Sequence, residues 1–180
     1  EPNKRTFDIC VIGHLRDEKD SLRPAYAVRD LPESSKIRVL QYGKAHNDQW
    51  AQKAQDEMLR NHRYQWLGER AHWQVRQAYA RCHAMVLPSI MEGGANVISE
   101  ATVAGLAVIA SDIPGSIGLL GEDYAGYYPV EDTGALRDCL LHAEADPGFL
   151  KQLQKQGNVR AKRFTQQQEM AGLKRVLQSA

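Results

Sequence analysis

Two glutamates, Glu92 and Glu100, flank a glycine pair and a helix-like run in the stretch SIMEGGANVISEATVAG, residues 89–105. Gly93 and Gly94 carry no Cβ, so the chain there can take positive φ and let a ligand approach the backbone. A helix starting near Ala95 leaves its first amides unpaired and directs a partial positive charge ahead of it, which is a place for an anion. Glu92 precedes that place and Glu100 falls in the second turn, so the carboxylates can reach different hydroxyls of one extended ligand. Carboxylates accept hydrogen bonds from polyols and repel a bare phosphate. The combination asks for a ligand with polyol parts flanking its phosphates. Either glutamate alone would pass for a surface side chain, since an acid near a helix N-terminus is ordinary stabilisation.

A second loop supplies cations. In GHLRDEKD, residues 13–20, Gly13 permits a sharp turn and is followed by Arg16 and Lys19. Arginine holds a diphosphate by a forked contact and lysine as a point charge. Alone, this would be a solvated charged turn; its place at a strand end gives it weight. No metal motif accompanies it: Cys82 and His83 form one adjacent pair with no second pair at zinc spacing and read as the end of a packed helix. His46, His62, His72 and His142 are scattered and receive no role.

Short apolar runs must position these loops. FDICVIG (7–13), IRVLQYG (37–43), YQWLG (64–68), AMVLP (84–88), AVIAS (107–111) and GYYPV (126–130) read as six strands. Helical patterns separate them. Val75, Ala78, Tyr79 and Cys82 form one apolar stripe, and Leu136, Cys139, Leu140 and Ala143 another. Asp20 or Ser21 is expected to cap the first helix, with Pro24 in its opening turn, and Asp48 to cap one carrying Trp50, Ala51, Ala54 and Met58. From about Phe149 the tail is expected to be helical throughout. Alternating strand and helix predicts an α/β, Rossmann-like three-layer sandwich around a mostly parallel six-stranded sheet, its strands apolar on both sides. Ligands then bind at the carboxyl ends of the strands, where the order reverses. The loop GHLRDE lacks the spaced glycines of a dinucleotide site.

With 180 residues the chain suffices for one well-buried core and not two. A formal charge of +1 with mixed signs offers no nucleic acid or membrane surface a basic face. The segment from Lys151 onward is basic, with seven Lys or Arg against Glu169 alone, and reads as solvated helix faces or as a surface docking against something acidic. Three separated cysteines in apolar segments suggest core thiols in a reducing compartment, hence the cytoplasm. The longest nearly apolar run, 101–110, is far short of the roughly 20 residues a membrane span needs. The opening EPNKRT reads as a linker, 1–6, so the chain is expected to be a piece of something longer: a domain over 7–165 and a C-terminal helix over 166–180.

The glutamate, seven-residue, glutamate pattern followed by ATVAGLAVIASD resembles the C-terminal nucleotide-sugar domain of retaining GT-B glycosyltransferases of family four. So do the loop with Lys19, the WLGER run at 66–70 and Asp132 ahead of a helix at 135, and the resemblance spans nearly the whole chain. It implies that Lys19 grips the donor diphosphate, that Glu92 meets the donor sugar, and that the amides of Gly94, Ala95, Asn96 and Val97 lie near sugar and phosphate. Glu100 matches the ribose-binding glutamate, and Arg70 a residue against the base. The arginine the family places directly after the first-strand glycine is His14 here, so Arg16 takes over that duty or the phosphate grip differs.

EGGANVISEA, GLLGEDYAGYYPVED (118–132) and the GHLR opening are most similar to the subgroup of selenosugar synthases of selenoneine biosynthesis, which join a uridine-diphosphate sugar to selenophosphate. The family's usual acid near 117–119 is replaced by IGL, a departure shared with that subgroup. The resemblance thus implies an enzyme with the nucleotide-sugar as substrate, no metal cofactor, and an N-terminal acceptor domain absent from this chain, which alone would be inactive. A nucleotide-sugar epimerase half and a non-catalytic nucleotide-binding module stand as alternatives. Product analysis separates the first, and indifference of all activity to changes at Glu92 and Lys19 the second.

Overall fold

The computed structural model describes residues 2–92 and 96–161. Residues 2–6 lead without helix or strand into β1 (Phe7–Ile12), followed by a 3-10 turn (Asp17–Lys19), α1 (Arg23–Ala27) and β2 (Ile37–Tyr42). Next come α2 (Asp48–Arg60), β3 (Tyr64–Trp66), α3 (His72–Arg81), β4 (Ala84–Leu87) and α4 (Asn96–Val103). The remaining elements are β5 (Ala107–Ser111), α5 (Pro114–Leu120), β6 (Tyr127–Tyr128), α6 (Thr133–Ala145) and α7 (Pro147–Ala161). The expected helix over 166–180 lies outside the described residues.

The six strands lie in the order β3-β2-β1-β4-β5-β6 and every pairing is parallel. Right-handed crossovers therefore place α1 and α2 on one face and α3 and α4 on the other. Burial grades across the sheet. Every residue of β4 and β5 is buried, as a doubly covered strand requires, whereas β2 alternates buried with half-buried side chains. The expectation of strands covered on both sides is corrected there, because β2 lies next to the three-residue edge strand β3.

Both expected apolar stripes reach the core: Ala78, Tyr79 and Cys82 on one side, Leu136, Leu140 and Ala143 on the other. The caps differ from expectation. Asn47, one residue before Asp48, caps α2 through its Oδ1, which accepts from the Trp50 amide at 3.0 Å. The residue ahead of α1 is Leu22, whose side chain makes no cap. Asp20 and Ser21 are engaged elsewhere, Asp20 on the Arg23 guanidinium and Ser21 donating to the His14 carbonyl at 3.1 Å. In α5, Gly115 and Gly118 weigh against a helix, and burial of Ser116 and Leu120 overrides them.

Candidate active site

The strand order reverses between β1 and β4, so the loops that follow them open side by side. Backbone bonds join the two. The Glu18 carbonyl, in the 3-10 turn, accepts the amides of Ile90 at 3.0 Å and Met91 at 3.4 Å. That junction delivers Lys19 to Glu92: Lys19 Nζ donates to Glu92 Oε1 in an ion pair whose side chains are only 21% and 9% exposed. The same oxygen accepts Ser89 Oγ at 2.8 Å, and Ser111 Oγ, at the end of β5, donates to the Ser89 carbonyl at 2.6 Å. Ser89 and Ser111 are fully buried, so a line of hydrogen bonds starting at β5 fixes where the Glu92 carboxylate sits.

Gly115 closes this arrangement from above. A Cβ there would collide with the Glu92 carbonyl oxygen, so the first turn of α5 packs directly on the Glu92 backbone. Ser89, Ser111 and Gly115 escape sequence reasoning because their roles arise only from contacts between separate loops.

Arg16 is turned onto its own loop, with Nε 2.9 Å from Glu18 Oε1. Gly93, Gly94 and Ala95 lie outside the described residues. Asn96 and Val97 open α4, Asn96 exposed and Val97 packed against the core. On the second turn of α4, Glu100 Oε2 accepts the Tyr79 hydroxyl at 3.1 Å, and His72 Nε2 stands 3.8 Å from Oε1. Burial, reinforced by the Glu100 charge, pushes the Tyr79 phenol well above its ordinary range, so it stays a donor. Tyr79 and His72 are further neighbours of the site that spacing did not indicate; Tyr79 is visible in the sequence only as part of an apolar stripe.

Beside the switch point lies a cleft of about 210 Å³ lined by Gly13, His14, Tyr42, Gly43, Arg70 and Val75 among others. Its floor is glycine for a steric reason: Gly43 has φ +143°, and a Cβ on it would run into the Gly13 carbonyl. His14 borders the cleft with Nδ1 accepting the Lys44 amide at 3.0 Å. The sequence-derived residues thus fall into three groups around one edge of the sheet: Lys19 with Glu92, Glu100 with Tyr79, and Gly13, His14 and Arg70 in the cleft. Cys82 and His83 are structural, with Cys82 buried and His83 stacked on Phe7 and accepting the Asp8 amide.

A six-stranded, all-parallel Rossmann-like sheet flanked by helices is an architecture shared with glycosyltransferases of the GT-B fold. Residues 1–160 match the family described as glycosyl transferases group 1, and the chain belongs to that family. No curated protein matches it significantly. Among solved structures, HepE of Anabaena in complex with UDP superposes with a TM-score of 0.87 at 18% identity, over 98% of this chain and 50% of that one. HepE in complex with UDP-glucose gives 0.86 at 18% identity, over 97% and 49%. A glycosyltransferase from Rickettsia africae gives 0.83 at 16% identity, over 97% and 48%. At these identities the likeness is one of fold, and this chain spans about half the length of each.

Proposed function

We propose that the chain is the donor-binding half of a cytoplasmic glycosyltransferase that moves a sugar from a nucleotide-sugar, with UDP as the nucleotide, to an acceptor with retention of configuration. The observation that carries this reading is the meeting of Lys19 and Glu92 across the two loops of the switch point. In glycosyl transfer the bond from the anomeric carbon to the diphosphate oxygen breaks, its electron pair goes to the phosphate, and the acceptor supplies the pair for the new bond. Lys19 is placed to meet the charge that grows on the leaving phosphate, and Arg16 does so once released from Glu18. Glu92 meets the sugar hydroxyls and Glu100 the ribose. This assignment calls for no divalent metal.

The UDP complexes of HepE, a structural neighbour, support uridine as the base. The resemblance to selenosugar synthases makes selenophosphate the first acceptor to try. An N-terminal domain would complete the acceptor side, and the chain alone is expected to bind donor without turnover.

Calorimetric titration of UDP, ADP and GDP into the chain, with Glu100→Ala as control, tests the donor assignment. Saturable UDP binding that weakens in Glu100→Ala is expected; tighter binding of ADP would overturn the uridine assignment, and robust sugar transfer by the chain alone would overturn its being a half.

A further inference from the structure

We propose that Arg23 is a positioning residue for the donor site: it ties Asp20 to the start of α6 and thereby holds the backbone that carries Lys19. The inference rests on the donor-binding reading and adds to it a residue that touches no ligand.

Arg23 is the first residue of α1, where the helix dipole disfavours a cation, so its own helix gains nothing from the charge. Its guanidinium is committed to other elements. Nε and Nη2 donate to the two oxygens of the Asp20 carboxylate at 2.7 and 3.2 Å, and Nη1 donates to Thr133 Oγ1, on the first residue of α6, at 2.9 Å. Glu131 Oε1 stands 3.9 Å from Nη2. The Arg23 and Asp20 side chains are only 19% and 13% exposed, so the forked pair is shielded from water and stronger than a surface ion pair.

Asp20, with φ +43°, and Glu131, with φ +63°, are the non-glycine residues at positive φ among those described. A side chain keeps the left-handed region only where its surroundings hold it there. Asp20 ends the 3-10 turn in that conformation, its amide donating to the Asp17 carbonyl at 3.0 Å. One guanidinium therefore faces two strained turns, one directly after Lys19 and the other directly before Asp132, the cap of α6.

α6 is a firm anchor for this tether. In its second turn, Arg137 Nε donates to the carbonyl of Ala27, the last residue of α1, at 3.0 Å, so the two helices are stitched at both ends. On the other side of Lys19, the Glu18 carbonyl holds the loop after β4 through the Ile90 and Met91 amides. Lys19 thus sits between two fixed residues, and only its side chain has to exchange Glu92 for a phosphate. Releasing Asp20 lets that backbone leave the left-handed turn, so placing the ammonium on a ligand then costs more conformational entropy. A limit on the effect follows. Loss of the tether cannot weaken binding by more than Lys19 itself contributes, and it weakens nothing where Lys19 is absent.

Titration of UDP into the chain, followed by NMR chemical shifts so that weak binding is still read, tests this in the parent and in Lys19→Ala. Thermal melts verify folding. Arg23→Met is expected to weaken UDP roughly tenfold in the parent background and by less than about twofold in Lys19→Ala. Arg23→Lys retains the charge and one bond to Asp20, and should stay within about threefold of the parent. Thr133→Val removes only a hydroxyl, changes no charge, and probes the same tether if Arg23→Met does not fold. It should weaken UDP roughly threefold, again only where Lys19 is present.

A loss in Arg23→Met or Thr133→Val that persists undiminished in Lys19→Ala would show a merely structural or long-range electrostatic role and overturn the proposal. So would an Arg23→Lys loss equal to that of Arg23→Met, or UDP bound equally by the parent, Arg23→Met and Thr133→Val. If the parent does not bind UDP, or Lys19→Ala binds it as the parent does, the donor-binding reading falls as well.

Discussion

Lys19 and Glu92, 73 residues apart in the chain, form an ion pair in which the ammonium shares Glu92 Oε1 with the Ser89 hydroxyl. In the unliganded protein the cation expected to hold a leaving phosphate is thus already neutralised by the carboxylate expected to meet the sugar. A donor has to part them or slide between them.

Competition of this kind has opposite consequences for the two partners. Lys19→Ala should weaken UDP binding by about 1.5–3 kcal/mol, the value of a charge-assisted contact. Glu92→Gln frees the ammonium and removes a repelling charge, so UDP should bind at least as tightly as to the parent. Calorimetry with UDP checks both, and a parallel loss in the two variants would contradict the competition.

Gly115 offers a purely steric handle on the same carboxylate. In Gly115→Ala the new methyl meets the Glu92 carbonyl oxygen, and the loop after β4 must move. Overpacking of this sort costs about 1–3 kcal/mol of stability. The expected readouts are a lower melting temperature and weaker UDP-sugar binding, whereas Gly118→Ala, which meets open space inside the same helix, should leave binding unchanged and the melting temperature equal or higher.

Glu100 should behave as a neutral-ligand contact. Glu100→Ala removes an acceptor for a ribose hydroxyl and should weaken UDP by about 1 kcal/mol. Tyr79→Phe deletes only the hydroxyl that orients Oε2, so its effect should be smaller and should vanish in the Glu100→Ala background. A double-mutant cycle measured by calorimetry decides this.

Glu57 governs stability rather than ligand binding. Its buried carboxylate receives Arg29 at 2.9 and 2.5 Å, Arg60 at 2.9 Å and Asn61 at 3.0 Å. Burial pushes the carboxyl up, but these bonds outweigh it and hold it down to about 2, against an ordinary 4.5. A folded value below the unfolded one means stabilisation that is complete above about pH 4.5 and lost as pH falls toward 2. The shift corresponds to about 3 kcal/mol. Denaturant melts from pH 6 to 2 should show this loss, flattened in Glu57→Gln, and Glu57→Ala should cost about 3 kcal/mol at neutral pH by removing these bonds, the arginines themselves being left to solvent.

Periodicity alone determined the alternation of strand and helix, because each strand buries side chains and each helix needs one apolar stripe. β5 coincides with its expected limits, and β6 shrinks from five residues to Tyr127–Tyr128 because a sheet edge ends where its neighbour stops pairing. The residue types of the site were equally legible, since glutamates around glycines and cations after a strand glycine are local patterns. Tertiary structure decided what those groups do to one another. Asn47 rather than Asp48 caps α2, α5 forms despite two glycines, Lys19 spends its charge on Glu92, Arg16 on Glu18, and His14 Nδ1 accepts the Lys44 amide. A hydrogen bond or ion pair needs a partner within about 3 Å at a favourable angle. For most of these groups that partner comes from another loop, brought there by the strand order β3-β2-β1-β4-β5-β6, which no local stretch of the sequence encodes.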